Sequence, residues 1–251
     1  MQLSILTFNL HNTYDRWLGR RELIVRGLME RMPDVILFQE VNIANAQARW
    51  LLNQLNLRSQ TRLYSLCQSP QRQFILGYFD GLAILSKYPI LYKEVLRLPD
   101  NRVALLANIE MSNGKSVDVI TSHLTPGEFV PDIRYEQVMQ LTGWLSVSGR
   151  SPYQIVAGDL NDVPESRAIH RMKQRYVSIW EALNGREPLA TFPTALGDYP
   201  RDWTGCLDYI FTTSNITPID ISLFGDKIHS EDPTLFMSDH VGLLAGVLLN
   251  D

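Results

Sequence analysis

Short runs of Val, Ile, Leu and Phe recur along the whole chain, some alternating with polar residues and some continuously apolar. They are Leu3–Leu10, Val35–Val41, Phe74–Phe79, Leu82–Ser86, Val103–Glu110, Ser116–Leu124, Gln154–Leu160, Cys206–Thr212, Ile216–Phe224 and Val241–Leu249. Gly, Pro, Asn and Asp punctuate them, so each is expected to be a β-strand. Helical periodicity appears between them: Trp17–Met32 has apolar residues at 24, 25, 28, 29 and 32 and stops at Pro33. Ala44–Leu57 and Ile133–Val147 read as further helices, and a shorter one follows Pro164, a residue type favoured in the first helical turn. About ten strands with three or four helices and mostly antiparallel connections predict two stacked sheets with helices outside. Without a linker, repeat or low-complexity tract, residues 1–251 are expected to form one domain.

Composition narrows the class. With 251 residues, 45% hydrophobic and 20% charged, the chain has material for a large core and lacks the bias of disordered, collagen-like or coiled-coil sequences. Cys67 and Cys206 are too few for a disulfide framework and have no zinc-type spacing. The first residues show no basic and then apolar export pattern, and no apolar run approaches the roughly 18 residues of a membrane span. A cytoplasmic protein without a membrane span is the expectation. The net charge of −4 is unevenly spread: residues 1–125 carry +4 and residues 126–251 carry −8. A bulk electrostatic grip on nucleic acid is therefore not supported, although bound divalent cations can bridge an acidic surface to an anionic ligand.

Polar residues gather at the ends of the apolar strands. Asn9 closes the first, Gln39-Glu40 the second, and His123 the run SVDVITSH. Asp159 and Asn161 end QIVAGDLND, Asp208 interrupts CLDYIF, and Ser238-Asp239-His240 leads into the last strand. Singly, each has a structural explanation: Asn9 as a turn former, Glu40 as a helix cap, Asp208 as a strand-edge charge, His240 as a core histidine. Collectively they are costly to bury unless paired or metal-bound. Glu, Asp and Asn oxygens suit Mg²⁺, which keeps waters and takes phosphate oxygens. A nearby carboxylate can take a proton from water, and an imidazole can donate hydrogen bonds to a phosphorane. Metal-assisted phosphoester hydrolysis is the chemistry this set suggests.

Seven ordered blocks then carry a resemblance: T7-F-N9-L, F38-Q-E40-V, G81-L-A-I-L-S, T121-S-H123-L, G158-D159-L-N161-D, L207-D208-Y-I-F and S238-D239-H240. From residue 3 to about 249 the chain resembles the endonuclease/exonuclease/phosphatase superfamily, which includes deoxyribonuclease I, exonuclease III, neutral sphingomyelinases, inositol polyphosphate 5-phosphatases and deadenylases. The resemblance implies a four-layer α/β sandwich with two central mixed sheets flanked by helices, and dependence on Mg²⁺ or Mn²⁺. It implies that Glu40 is the principal metal ligand, with Asp239 a further metal-site carboxylate and Asn9 a supporting ligand or phosphate contact. Asp159 would orient or deprotonate the attacking water, and Asn161 would position it. Asp208 would fix the tautomer of His240, which faces the scissile phosphate beside His123. His11 stands where several nucleases carry a second acid, and the glutamate that deoxyribonuclease-type members pair with the first histidine has no clear counterpart, Asp80 standing nearest to its place.

Substrate is less determined. Gly185–Pro193 and Trp203–Phe211 resemble the matching stretch of carbon-catabolite-repressor-type deadenylases, whereas Ala83-Ile-Leu-Ser-Lys-Tyr-Pro-Ile is shared with sphingomyelinase-like members. Arg134 opens an R-x-x-Q element and is a candidate substrate contact or helix-packing residue. Arg201 and Trp203, with Tyr199, are candidates for meeting a phosphate and stacking on a base. The expected partner is a phosphoester substrate, nucleic acid or nucleotide, and the protein is expected to be a monomer with no obligate protein partner. The alternatives are a lipid, inositol or sugar phosphate substrate, and a non-catalytic binding protein on the same scaffold.

Overall fold

The computed structural model describes residues 1–12, 16–73, 79–128, 130–147, 150–196 and 204–250. One six-stranded sheet has the order β11 (Ile216–Phe224), β12 (Gly242–Leu249), β1 (Gln2–Asn9), β2 (Val35–Gln39), β4 (Phe79–Ser86) and β3 (Ser65–Gln73). The other runs β5 (Ile90–Leu98), β6 (Arg102–Glu110), β7 (Ser116–His123), β8 (Gln154–Asp159), β10 (Asp208–Thr212) and β9 (Val177–Ser178). Both are mixed sheets: β1 pairs with β2, and β7 with β8, in parallel, and the remaining described pairings are antiparallel. Helices α1 (Trp17–Arg31) and α2 (Gln47–Arg58) cover one sheet, and α3 (Pro131–Trp144) and α4 (Arg167–Lys173) cover the other; α5 is Ile179–Asn184.

Three apolar layers follow from strand periodicity, because successive side chains point to opposite faces. Leu3 and Ile5 of β1, Val35 and Leu37 of β2, Val117 and Val119 of β7, and Ile155 and Ala157 of β8 meet between the sheets. The alternate residues Leu6, Phe8, Ile36 and Phe38 pack against Ile24, Leu28, Leu51 and Leu55 of α1 and α2. Ile120, Val156 and Phe211 pack likewise against Val138, Leu141 and Ile169 of α3 and α4. Burying each such side chain stabilises by roughly 1.5–3 kcal/mol. The expected four-layer sandwich is the architecture found.

Several elements depart from the sequence expectation. Helix α3 begins at Pro131, whose ring suits the first turn, and not at Ile133. Helix α1 ends where Met32 turns left-handed and donates its N–H to Leu28 O at 2.8 Å, directly before Pro33. Strands β3 and β5 lack a continuous apolar run; β5 is exposed over most of its length and owes its strand form to pairing with β6. The strand expected at Phe74–Phe79 falls largely on residues 74–78, outside the described residues. Among the described residues, no helix is long and apolar enough to cross a membrane.

Strands β7 and β8 pair Ser122 with Gly158. A Cβ on Gly158 would lie 2.0 Å from Ser122 O. Gly158→Ala is expected to destabilise the chain by about 1–3 kcal/mol or more, read as a lower urea midpoint; an unchanged midpoint would count against this close approach.

Candidate active site

The faces that build the intersheet core also bring the polar strand ends together. Leu3, Ile5, Thr7 and Asn9 share one face of β1, and Val35, Leu37 and Gln39 share the matching face of β2. In the second sheet the same alternation ends β7 on Thr121 and His123 and β8 on Asp159. Because β10 runs antiparallel to β8, its first residue, Asp208, registers with Asp159; β12 runs antiparallel to β1, so His240 lies just before its start at the same end. Gln39 joins the two sheets there, its Nε2 donating to Thr7 Oγ1 at 3.0 Å and Thr121 Oγ1 at 2.9 Å.

Two similar turns aim the central side chains. Asn9 Oδ1 accepts from His11 N at 2.9 Å, and Asp159 Oδ1 accepts from Asn161 N at 2.9 Å. His11, Asn161 and Glu40 have φ of 53°, 49° and 51°, the left-handed region that non-glycine residues seldom occupy. With one atom of each side chain held by its turn, the other faces across the intersheet gap. Asn9 Nδ2 donates to Asp159 Oδ2 at 3.0 Å and to Glu40 Oε1 at 3.3 Å, so both carboxylates flank one nitrogen. His123 Nε2 and His240 Nε2 each stand 3.5 Å from Asp159 Oδ2.

The two imidazoles are in opposite states. His240 Nδ1 lies 2.9 Å from Asp208 Oδ2, and Asp208 is fully buried. Burial opposes a charge on His240, but Asp208 and Asp159 outweigh it and hold its pKa well above the usual histidine value. His123 Nδ1 instead faces Arg102 Nη1 at 3.3 Å. A guanidinium only donates, so Nδ1 accepts and the proton sits on Nε2. Burial, the Arg102 charge and His240 keep His123 well below the usual value, as a neutral donor. Asp159 is pushed up to about 7 by burial, with His240 opposing and Asp208 adding to the rise.

The donor set fits a hard divalent cation unevenly. Glu40 has a side chain 27% exposed, and its Oε2 accepts only the Asn12 N–H at 3.0 Å. Asn9, expected as a ligand, turns its nitrogen to the carboxylates while His11 N holds its oxygen. Both oxygens of Asp239 are engaged, Oδ2 with His11 Nδ1 at 3.0 Å and Oδ1 with Ser238 Oγ at 3.1 Å. Ligating atoms of Asp159, Asp208 and His240 all lie within 4.8 Å of one another. Within this trio Asp208 Oδ2 and His240 Nδ1 are already paired at 2.9 Å, which leaves His240 Nε2 facing Asp159 Oδ2.

Other expectations fall differently. Arg134 is buried away from this cluster of contacts: Nη1 donates to Thr125 O and Gly127 O, and Nε lies 3.1 Å from Asp162 Oδ2. Gln137 ties down the same loop through Thr125. Asn161 Nδ2 donates to Leu124 O at 3.1 Å. Tyr199, Arg201 and Trp203 lie outside the described residues. Asp80 stands 4.0 Å from His123 Nδ1, with Arg102 3.6 Å from the same Asp80 oxygen. Arg102 escapes the sequence reading although it heads a continuous apolar strand, the same signal that marks the acids. Phe192, its ring centroid 4.7 Å from that of His240, and Thr191, whose Oγ1 accepts from Leu207 N and Asp208 N, are likewise unforeseen.

Residues 6–240 match the family model described as the Endonuclease/Exonuclease/phosphatase family. The chain is similar to Nocturnin of Drosophila melanogaster, 29% identical over 165 residues, which cover 59% of this chain and 24% of that protein. The match thus spans about a quarter of the relative's length. Among solved structures, D. rerio TDP2 complexed with single strand DNA product superposes with a TM-score of 0.79 at 22% identity, over 98% of this chain and 99% of that one. The human Nocturnin catalytic domain with bound sulfate anion gives 0.75 at 18% identity, over 99% and 95%.

Proposed function

The chain belongs to the endonuclease/exonuclease/phosphatase family, and from that premise we propose that it is a divalent-metal-dependent phosphodiesterase acting on nucleic acid or nucleotides. One observation carries the reading: Asn9, His123 and His240 converge on a single oxygen of Asp159, with Glu40 alongside. Asp159, with a pKa near neutrality, takes the proton of the attacking water. His240, held by Asp208 and charged, donates from Nε2 to a phosphorane oxygen. Neutral His123 supplies a second Nε2 donor, its tautomer held by Arg102. A hydrated Mg²⁺ or Mn²⁺ on Glu40 and the neighbouring carboxylates would supply charge to a phosphoryl oxygen and the leaving group. The nucleic-acid preference draws support from the similarity to TDP2 complexed with single strand DNA product.

Purified protein assayed with Mg²⁺, Mn²⁺ or chelator on DNA, RNA, poly(A), sphingomyelin, inositol phosphates and a small chromogenic phosphodiester tests this. Cleavage lost on chelation supports it. Cleavage confined to sphingomyelin or inositol phosphates would transfer the activity to another phosphoester class, and none on any substrate would leave a binding protein. Glu40→Gln is expected to raise the Mg²⁺ concentration for half-maximal activity at least roughly tenfold, read from metal titrations; an unchanged requirement removes Glu40 from the metal site.

A further inference from the structure

Beside Glu40, between α1 and α2, lies a cavity of about 180 Å³ whose lining includes Asn12, Trp17, Arg21, Asn42 and Trp50. It shares a wall with the active site: Asn12 N donates to Glu40 Oε2, and Asn42 follows Glu40 by two residues. Trp17 and Trp50 meet edge to face, ring centroids 6.1 Å apart at 67°. Both are partly buried against the core under α1 and α2, and Arg21 sits 4.7 Å over the Trp50 ring.

The cavity's polar atoms are the telling feature. Asn42 is 3% exposed. Its Oδ1 accepts from Asn45 N and Nδ2 at 3.1 and 2.9 Å, but its own Nδ2 has no hydrogen-bond partner among the described residues. Asn12 Oδ1 and Arg21 Nε are also buried without one. Each such group costs about 1–3 kcal/mol unless something satisfies it. A satisfying ligand needs an acceptor for Asn42, a donor for Asn12 and a flat face for indole. A sugar offers only a puckered C–H face with hydroxyls around it, and a plain phenyl ring has no polar edge. A nucleobase has both, and the volume, below the ~300–1,000 Å³ of drug-sized sites, suits one ring system.

We infer that this cavity is a subsite for a nucleobase adjoining the scissile phosphate, read by the Asn12 and Asn42 amides beside the Trp17–Trp50 pair. The inference rests on the hydrolase reading for the position of the phosphate. Calorimetric titration of the full chain in Mg²⁺ buffer, with 3′- and 5′-mononucleotides of the four bases and with ribose 5-phosphate, tests it independently of turnover. At least one nucleotide is expected to bind tenfold or more tighter than ribose 5-phosphate. Asn42→Ala and Asn12→Ala should abolish that preference; Asn12→Ala removes an oxygen without a hydrogen-bond partner among the described residues, so its result does not hinge on folding. Equal affinity for nucleotides and ribose 5-phosphate would overturn the subsite, and phosphodiester cleavage by the same preparation would leave the hydrolase reading standing. A preference that survives both substitutions would also overturn it, by placing the base elsewhere. A preference lost in both variants, without phosphodiester cleavage, would support the base site and sink the hydrolase reading instead.

Discussion

Asp159→Asn should lower kcat by roughly 10²–10⁴ while the chain stays folded. The substitution keeps an oxygen able to accept the Asn161 N–H that shapes the turn after β8. What it removes is the proton acceptor at Oδ2, where Asn9, His123 and His240 all point. Burial places the Asp159 pKa at about 7, so at neutral pH the side chain can both lose and accept a proton readily. An amide does neither. Steady-state rates on an oligonucleotide, with circular dichroism as the folding control, provide the measurement; activity within tenfold of the parent chain would take the base role away from Asp159.

His240→Gln is expected to cost roughly 10²–10³ in kcat with a smaller change in KM. Glutamine retains a donor but cannot carry the positive charge that Asp208 and Asp159 stabilise on the imidazole. Asp208 is fully buried with Oδ1 unpartnered, so the loss of His240 also leaves a buried carboxylate poorly satisfied. A lowered melting temperature should therefore accompany the kinetic loss. Phosphodiester turnover close to that of the parent chain, in protein that remains folded, would show that His240 does not stabilise the transition state.

Much of this arrangement is legible in the sequence because strand periodicity does two tasks at once. The alternation that buries Leu3 and Ile5 between the sheets also commits Asn9 to that face, and the same holds for His123 behind Val117 and Val119 and for Asp159 behind Ile155. Less legible is whatever depends on how the two sheets meet. Arg102 becomes a partner of His123 only because β6 lies beside β7. The direction in which the Asn9 amide points is set by the His11 N–H, and nothing in the run T-F-N-L announces it. Strand β5 escapes notice because Lys93, Glu94 and Arg97 put charges on both of its faces, and only the register with β6 makes it a strand. The cavity between α1 and α2 is hidden for the same reason, since Trp17 and Trp50 read as core residues until their rings are seen to wall a space.

The Gln39 bridge and the Asn9–Asp159 contact span the interface between the two sheets. Catalysis should therefore be an early casualty of thermal loosening: small slippage of one sheet past the other would extinguish turnover while the far-ultraviolet spectrum still reads as native. Inactivation curves displaced to lower temperature than loss of ellipticity would record that ordering.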